Sequence, residues 1–500
     1  MTRFLADYAR NPVNLLMLVL VPTVFVIVSA GSLAEAAKLL GGPGGPAVAT
    51  ATAGWAAGFL AGLAMYFQMA SARSADRRLV LAGLTATRLV AARLVTGLAL
   101  ALLVTAVSLI ALAARSGIDT PLRVVGGTAM FALIYLALGA VVGTHVRTPV
   151  NGTVLILFIW ILDVFFGPAL GAADRVSTRW LPSHFVTLWM VDLPSRHGGR
   201  LGDLGWALAW TAGAVLVCWV VVVRSARIAR RRPPRQAGSA RAQLSGGLRM
   251  GIRDYGRNPV LWALLIAVPV VFVLLATAAT PDAQTTLPLI EKGRAVLLTF
   301  RLPDVHAGTM TPIAVGSLSA LAGLFIALDA RAGDQRLILS GYGRGSLLTA
   351  RMLVIALAVL LVSVVSLSVT AAVFNAQQWT VYIGATLLLG ATYGLVGVAI
   401  GFLLGRVAGV FVAFLVPFLD LGIGQSPMLR SEPPRRAEFM PGYGASRMLL
   451  DGGLTRTFDR FGSLLIALAW LGGLTLITIW LWRRPIVLEP GRGHLAVGAR

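Results

Sequence analysis

The stretch that decides the fold occurs twice, as DYARNPVNLLMLVLVPTVFVIVSA at 7–30 and as RDYGRNPVLWALLIAVPVVFVLLATAA at 253–279. Each copy has a short charged segment, an Asn-Pro pair, and then about twenty almost uninterrupted apolar residues, enough for a helix to cross ~30 Å of hydrocarbon at 1.5 Å per residue. The stretch therefore predicts a membrane-spanning helix that starts near the proline, in two places.

Ten further runs of the same kind bring the predicted number of spans to twelve. Hydrophobic residues make up 57% of the 500 and charged residues only 13%, about half the charged share of a soluble domain. A β-barrel would need alternating apolar and polar residues, and the first run is too long for a cleaved secretory signal. We expect an all-α polytopic membrane protein with spans at 13–31, 50–70, 92–114, 124–144, 150–170, 205–223, 259–279, 311–330, 350–374, 380–404, 408–424 and 462–482.

The repetition extends over most of the chain. RSADRRLVLAGL (73–84) returns as RAGDQRLILSGY (331–342), and LPSHFVTLWMVD (181–192) is matched by MPGYGASRMLLD (440–451). Because each copy holds an even number of spans, both copies share one orientation in the membrane. We predict two parallel six-helix halves at 1–224 and 244–484, a basic linker at 225–243 and a tail at 485–500.

The net charge of +23 follows the predicted topology. Most Lys and Arg residues fall in alternate connections, which places both termini and the linker in the cytoplasm of a plasma (inner) membrane protein. The linker RSARIARRRPPRQAGSAR (224–241) lacks the interleaved aromatic residues of a nucleic-acid site and suits the anionic surface of a leaflet. We expect membrane lipids and no nucleic acid as partners.

Residues that could carry catalysis are scarce. The single Cys218 and the five histidines show no metal-ligand spacing. Neither of the two lysines, Lys38 and Lys292, lies in a phosphate-binding G-x-x-x-x-G-K-[ST] motif. The sequence predicts no catalytic residue, no metal site and no cofactor bound by this chain.

Two elements on the predicted cytoplasmic side are repeated. Before span seven, Leu244, Leu248, Ile252 and Tyr255 recur at helical spacing, which indicates a short amphipathic helix on the membrane surface; a flank that only fixes orientation is the alternative. Between spans two and three of each half, leucines alternate with charges. That pattern can dock a partner protein or merely set topology, and its candidate residues are Arg73, Asp76, Arg77, Arg78, Arg88, Arg331, Asp334, Arg336 and Arg344.

On the predicted outer side, the segments after Pro182 and Pro441 are apolar but too short to span the membrane. They predict short external re-entrant helices, with a role in substrate exit or in packing at the rim.

Candidate substrate-pathway residues lie inside the spans. Asp163 and Asp420 occupy matching positions in spans five and eleven, and a carboxylate in a span costs at least ~2.5 kcal/mol. Each could bind a cationic or hydroxyl-bearing substrate, or cap backbone where the span breaks. A cavity for a lipophilic molecule could be flanked by aromatic residues, although such rings can also be ordinary packing: Trp55, Phe59, Phe158, Trp160, Phe325, Phe411 and Phe414.

These elements together resemble the ABC exporter permeases of the type-two membrane-subunit class, which include actinobacterial antibiotic and multidrug exporters. The resemblance rests on an amphipathic helix before span one, a charged turn between spans two and three, and a re-entrant element before span six, here in a fused double-length chain. DRRLVLAGLTATRLVAARL, from Asp76, keeps the acid, the leucines and the closing basic residue of the family's turn but lacks its Gly-Thr and Pro.

The resemblance implies a membrane permease subunit that moves a lipophilic substrate outward by alternating access. Two copies of a separate ABC ATPase, carrying ATP and Mg, would dock at the charged segments. The first alternative is a major-facilitator-type secondary transporter of 6+6 spans. The segment ADRRL (75–79) faintly resembles the loop between spans two and three of such transporters. The second is a membrane enzyme acting on lipids, which would need a polar cluster at membrane depth.

Overall fold

The structure is a computed structural model that describes residues 12–39, 45–81, 85–146, 148–171, 174, 176–194, 196–226, 259–339, 344–429 and 432–483. Within these residues, ten helices are long and apolar enough to cross a membrane. The helix Pro259–Ala279 and the shorter apolar segment Ala408–Gly424 correspond to the two remaining predicted spans. The predicted all-α polytopic membrane protein is confirmed.

Within the described residues, the first part of the chain contains nine α-helices. Helix α1 runs into a π-helical turn, Phe25–Ser29, that places Phe25 and Val26 in the interior. Pro22 precedes this turn, and because proline removes a backbone hydrogen bond it accounts for the local change of winding. The helices are α1 Pro12–Val24, α2 Ala30–Leu39, α3 Gly45–Leu81, α4 Ala86–Ser116, α5 Pro121–His145, α6 Pro149–Phe166, α7 Pro168–Gly171, α8 His184–Met190 and α9 Leu201–Ala226.

The second part repeats this order with an insertion. Gly405 has φ +73° and interrupts α13 at the predicted break between spans ten and eleven, and a π-helical segment, Phe418–Gly424, follows that helix. The elements are α10 Pro259–Ala279, β1 Gln284–Glu291, β2 Arg294–Arg301, α11 Leu302–Leu339, α12 Arg344–Ala371, α13 Trp379–Pro417, α14 Tyr443–Leu454 and α15 Phe461–Arg483.

The insertion is an antiparallel hairpin of β1 and β2, paired from Gln284 with Arg301 to Glu291 with Arg294. Lys292 and Gly293 form its turn with φ +52° and +73°, the positive values that a two-residue hairpin turn with right-handed strand twist requires. This stretch lies between the predicted spans at 259–279 and 311–330, and no hairpin was predicted for it. The available signal was the strand-like QTTLPLIE (284–291) followed by the Lys-Gly pair.

The charged segments between spans two and three are mainly helical. Helix α3 continues to Leu81 and α11 to Leu339, so residues 73–81 and 331–339 are the last turns of long helices rather than loops. The expectation of charged loops is therefore corrected for these residues, because neither segment contains a proline and the single Gly333 is tolerated inside the long helix α11. Residues 82–84 and 340–343, like the predicted amphipathic helices before α1 and α10, lie outside the described residues.

Matching glycines bring helices into close contact in both parts. A Cβ on Gly139 of α5 would lie 2.0 Å from the carbonyl oxygen of Gly62, and one on Gly397 of α13 would lie 1.8 Å from that of Ala320. Only glycine permits this approach of two backbones. Both pairs keep the 258-residue offset of the repeat, so the same helix pair forms each interior.

The two parts pack through reciprocal contacts. Helix α1 contacts α13, and α10 contacts α6, with Phe165 and Phe272 at a centroid distance of 6.2 Å. The short helices α8 and α14, with the hairpin, lie at one end of the bundle, which we call the cap end. The opposite end carries the basic ends of α3, α4, α11 and α12 and is called the arginine end.

Candidate functional site

Four of the seven predicted pathway rings form one cluster between the two parts. Phe59 lies 5.0 Å from Trp160 and 5.2 Å from Phe411, and Trp160 lies 6.0 Å from Phe414, measured between ring centroids. The Trp160 indole donates a hydrogen bond to the carbonyl oxygen of Trp55 at 2.9 Å. These five residues are nearly fully buried, so their side chains pack together here.

The aromatic cluster is built from both parts of the chain. Its rings come from α3 and α6 on one side and from α13 on the other, and Phe25 and Phe418 extend it. Phe325 is buried in α11 and Phe158 is half-buried in α6, and neither joins the ring contacts of the cluster among the described residues. With Phe25 and Phe418, each part contributes three of the six rings of the cluster, although Ser317 takes the place of Phe59 in the repeat.

Asp163 and Asp420 each lie in a matching clamp. Asp163 is buried, accepts a hydrogen bond from the Tyr135 hydroxyl at 2.8 Å, and accepts another from the backbone N–H of Ser183 at 3.3 Å. Ser183 immediately precedes α8, so this carboxylate satisfies one of the unpaired donors at the start of that helix.

The second clamp repeats the first. Asp420 accepts hydrogen bonds from the Tyr393 hydroxyl and from the backbone N–H of Gly442 at 2.9 Å, and Gln425 donates to its other oxygen. Gly442 immediately precedes α14. Each clamp thus ties a span to the hydroxyl of a neighbouring span and to a short cap-end helix. The two acids were predicted as site residues but the two tyrosines were not, although their separation of 258 residues was an available signal.

The cap over the first part is held by charged groups. Asp174 forms an ion pair with Arg179 and a 3.0 Å contact with the imidazole of the buried His184. The hydrogen bond from Arg179 holds the pKa of Asp174 down at about 2, and burial lowers the pKa of His184. Arg123 donates to the carbonyl oxygens of Trp189 and Met190, the last turn of α8.

The cap over the second part uses different residues. The Asp451 carboxylate accepts hydrogen bonds from the Thr455 hydroxyl and the Asp459 N–H, both at 3.0 Å, and burial raises its pKa. The hairpin tip reaches this loop, because the Lys292 N–H donates to Asp459 at 2.7 Å. The two caps therefore share a backbone plan but not their charged contacts.

At the arginine end, the structure describes only part of the predicted docking set. Asp334 is buried and pairs with Arg351 at 2.7 Å, which joins the ends of α11 and α12, and Arg88 is exposed near the start of α4. For the other predicted docking residues the described structure gives the helix position alone: Arg73, Asp76, Arg77 and Arg78 in α3, Arg331 and Arg336 in α11, and Arg344 at the start of α12. Asp334 thus has a packing partner within the chain, and its docking role remains a prediction.

No metal site was found among the residues that the structure describes. Among the described residues, no group of three or more His, Cys, Asp or Glu side chains could hold an ion. The polar contacts of the interior include hydrogen bonds between two spans, such as Tyr135 with Asp163, and between a span and a cap, such as Ser183 with Asp163.

Part of the chain matches a known protein family. Residues 49–224 match the family model described as ABC-2 family transporter protein. The match starts near the beginning of α3 and ends in α9, so it includes the first clamp and the first basic helix end. No curated protein matches the chain.

The ABC-2 match supports a permease subunit, in agreement with the resemblance found in the sequence. Permeases of this family are transport subunits that normally pair with separate ABC ATPases. With ten apolar helices of spanning length among the described residues, the chain is a multi-pass membrane protein.

Proposed function

We propose that this chain is a double-length permease of an ATP-driven ABC exporter, with one six-span half at 1–224 and a second at 244–484. The observation that carries the proposal is the ABC-2 match over 49–224, extended to the second half by the repeat. Tyr135, Asp163 and Gly139 of the matched segment recur as Tyr393, Asp420 and Gly397 at offsets of 257 or 258 residues. A second half with the same contacts supports a second permease unit in one chain.

In the proposed mechanism, two copies of a separate ATPase dock at the arginine end, which faces the cytoplasm together with both termini and the 225–243 linker. Excess arginine at that end agrees with the positive-inside rule. ATP and Mg bind to the partner subunits. Closure of the two ATPase subunits drives the two permease halves from one arrangement in the membrane to the other.

The proposed substrate is lipophilic, in the range of a drug, an antibiotic or a lipid-like molecule. Support comes from the aromatic cluster at Phe59, Trp160, Phe411 and Phe414, which lies where the two halves meet. Separation of the halves would expose these rings to a substrate. The buried clamps at Asp163 and Asp420 have their carboxylate oxygens engaged by protein donors, which favours a structural role for both acids.

The test is stimulation of ATP hydrolysis in proteoliposomes that contain the permease and its ATPase. The permease alone should hydrolyse no ATP. Arg77→Glu combined with Arg78→Glu, or Arg336→Glu, should reduce substrate-stimulated hydrolysis at least fivefold with normal insertion. Arg436→Glu, an exposed arginine at the cap end, is the matched control and should have no effect. ATP hydrolysis by the isolated chain, or an equal loss with the control, would refute the proposal.

A further inference from the structure

An apolar groove opens on the outer surface of the first half, between α5 and α9. It has a volume of about 620 Å³ and is lined by Ile134 and Leu138 of α5, by Pro182, and by Trp206, Trp210 and Val217 of α9, among others. The volume lies within the range of ligand-binding pockets, ~300–1,000 Å³. Both helices are among the candidate membrane spans, so lipid rather than water surrounds this opening.

The length of the groove corresponds to one leaflet. From Trp206 to Val217, α9 rises about 16 Å at 1.5 Å per residue, close to half of a ~30 Å hydrocarbon core. Trp206 is 61% exposed and stacks on Phe185 next to the cap, where a tryptophan would lie at the headgroup level. The groove therefore runs from the membrane surface at the cap end towards the bilayer midplane.

The segment that leads into α9 carries unpaired positive charge. Arg200 immediately precedes α9 and Arg196 lies five residues before it; both are exposed, and neither forms an ion pair within the described part of the chain. The neighbouring acids are already engaged: Asp192 pairs with Arg123 at 2.8 Å, and Asp203 accepts from His197 at 2.9 Å. Two unpaired guanidinium groups in the segment before α9 suit a phosphate, and the apolar groove along α9 suits an acyl chain.

Among the described residues of the second half, the corresponding helices α13 and α15 lack an equivalent groove at this position. The segment ALAW occurs at 207–210 and again at 467–470, which fixes the register of α9 against α15. In that register Ala214 corresponds to Leu474, and in the register of the tyrosines Ala137 corresponds to Leu395. Both leucines are buried, so the second half fills with side chains the space that small residues leave open in the first.

We propose that the groove between α5 and α9 is a binding site for one anionic phospholipid of the leaflet at the cap end. One acyl chain lies along Trp206, Trp210 and Val217, and the phosphate is bound by Arg196 and Arg200. The site belongs to the first half alone, and it holds a resident lipid rather than part of the exchanging annulus. This inference needs only the membrane location of the chain and does not depend on the proposed export function.

The experiment measures lipid binding by native mass spectrometry of the delipidated full chain, titrated with dioleoylphosphatidylglycerol or dioleoylphosphatidylcholine. A Cβ on Gly213 or on Gly473 would meet no atom within 4 Å, so a larger residue fits at either site without a clash. Gly213→Leu fills the groove, whereas Gly473→Leu places the same side chain on the matching face of the second half.

The wild type and Gly473→Leu should each bind one phosphatidylglycerol saturably, and Gly213→Leu should weaken that affinity at least tenfold. Gln at both Arg196 and Arg200 should remove the preference for phosphatidylglycerol over phosphatidylcholine. Binding without saturation, or an equal loss in both glycine variants, would overturn the proposal. So would a different lipophilic molecule, carried through purification from native membranes and displaced by Gly213→Leu.

Discussion

Replacing Asp163 by Ala should release the start of α8 without unfolding the rest of the molecule. The substitution leaves two buried donors unpaired, the Tyr135 hydroxyl and the Ser183 N–H. Each orphaned donor costs about 1–3 kcal/mol, so local opening of α8 becomes easier by about 2–6 kcal/mol. Since a tenfold change corresponds to about 1.4 kcal/mol, amide exchange in α8 should accelerate at least ~25-fold.

Asp163→Asn is the matched variant. Its side-chain oxygen can accept from the Ser183 N–H while its amide donates to the Tyr135 oxygen, so the Ser183 donor at the start of α8 and the Tyr135 oxygen each keep a partner. Exchange in α8 should then stay within a few-fold of the wild type. The comparison separates the hydrogen-bonding capacity of the residue from its charge.

Hydrogen–deuterium exchange with mass spectrometry, resolved to peptides covering α8 and α14, is the assay. The second clamp provides an internal control, because Asp163→Ala should leave α14 protected, and Asp420→Ala should open α14 and leave α8 protected. Unchanged exchange of α8 in Asp163→Ala, or equal acceleration of both helices, would refute the clamp. If Asn at both Asp163 and Asp420 leaves the caps intact but selectively abolishes export of cationic substrates, the two acids bind substrate instead.

Three further predictions concern the packing and the caps. Gly139→Ala should lower the unfolding free energy in mixed micelles by about 1–3 kcal/mol or more through overpacking, whereas Gly213→Ala, which meets no neighbour, should not destabilise. Because burial lowers the folded-state pKa of His184, α8 protection should be full above pH 6.5, the ordinary value, and fall as the pH drops below it; His184→Gln should abolish this slope. Asp334→Ala should destabilise the α11–α12 junction by leaving Arg351 unpaired, and adding Arg351→Met should recover most of the loss in the same micelle titration.

Much of the fold could be predicted because membrane spans are determined by length and apolarity, which single sequences show directly. The run after Pro12 and the run after Pro259 each begin a described helix at the proline itself. The hairpin at 284–301 was not predicted, because a short amphiphilic strand pair gives a weaker sequence pattern than a membrane span. The charged segment at 73–81 was taken for a loop because charge indicates exposure, although basic residues also continue a helix beyond the membrane.

The candidate site could be predicted only in part. Asp163 and Asp420 were conspicuous because carboxylates are costly in spans, but their partners were not, since the Ser183 and Gly442 donors are backbone groups that no sequence pattern marks. The aromatic residues were recognised by type, yet Phe158 and Phe325 fall outside the cluster because membership depends on helix rotation. Docking residues such as Arg77 and Arg336 remain predictions from charge and repetition.

The most direct test of the central claim is purification of the chain from its native membrane in mild detergent, with quantitative mass spectrometry of the proteins that remain bound. We expect an ABC ATPase subunit at two copies per chain, retained in the wild type and lost on Arg77→Glu with Arg78→Glu. A chain that purifies without any ATPase, and whose transport in vesicles follows a proton gradient and ignores ATP, would contradict the account.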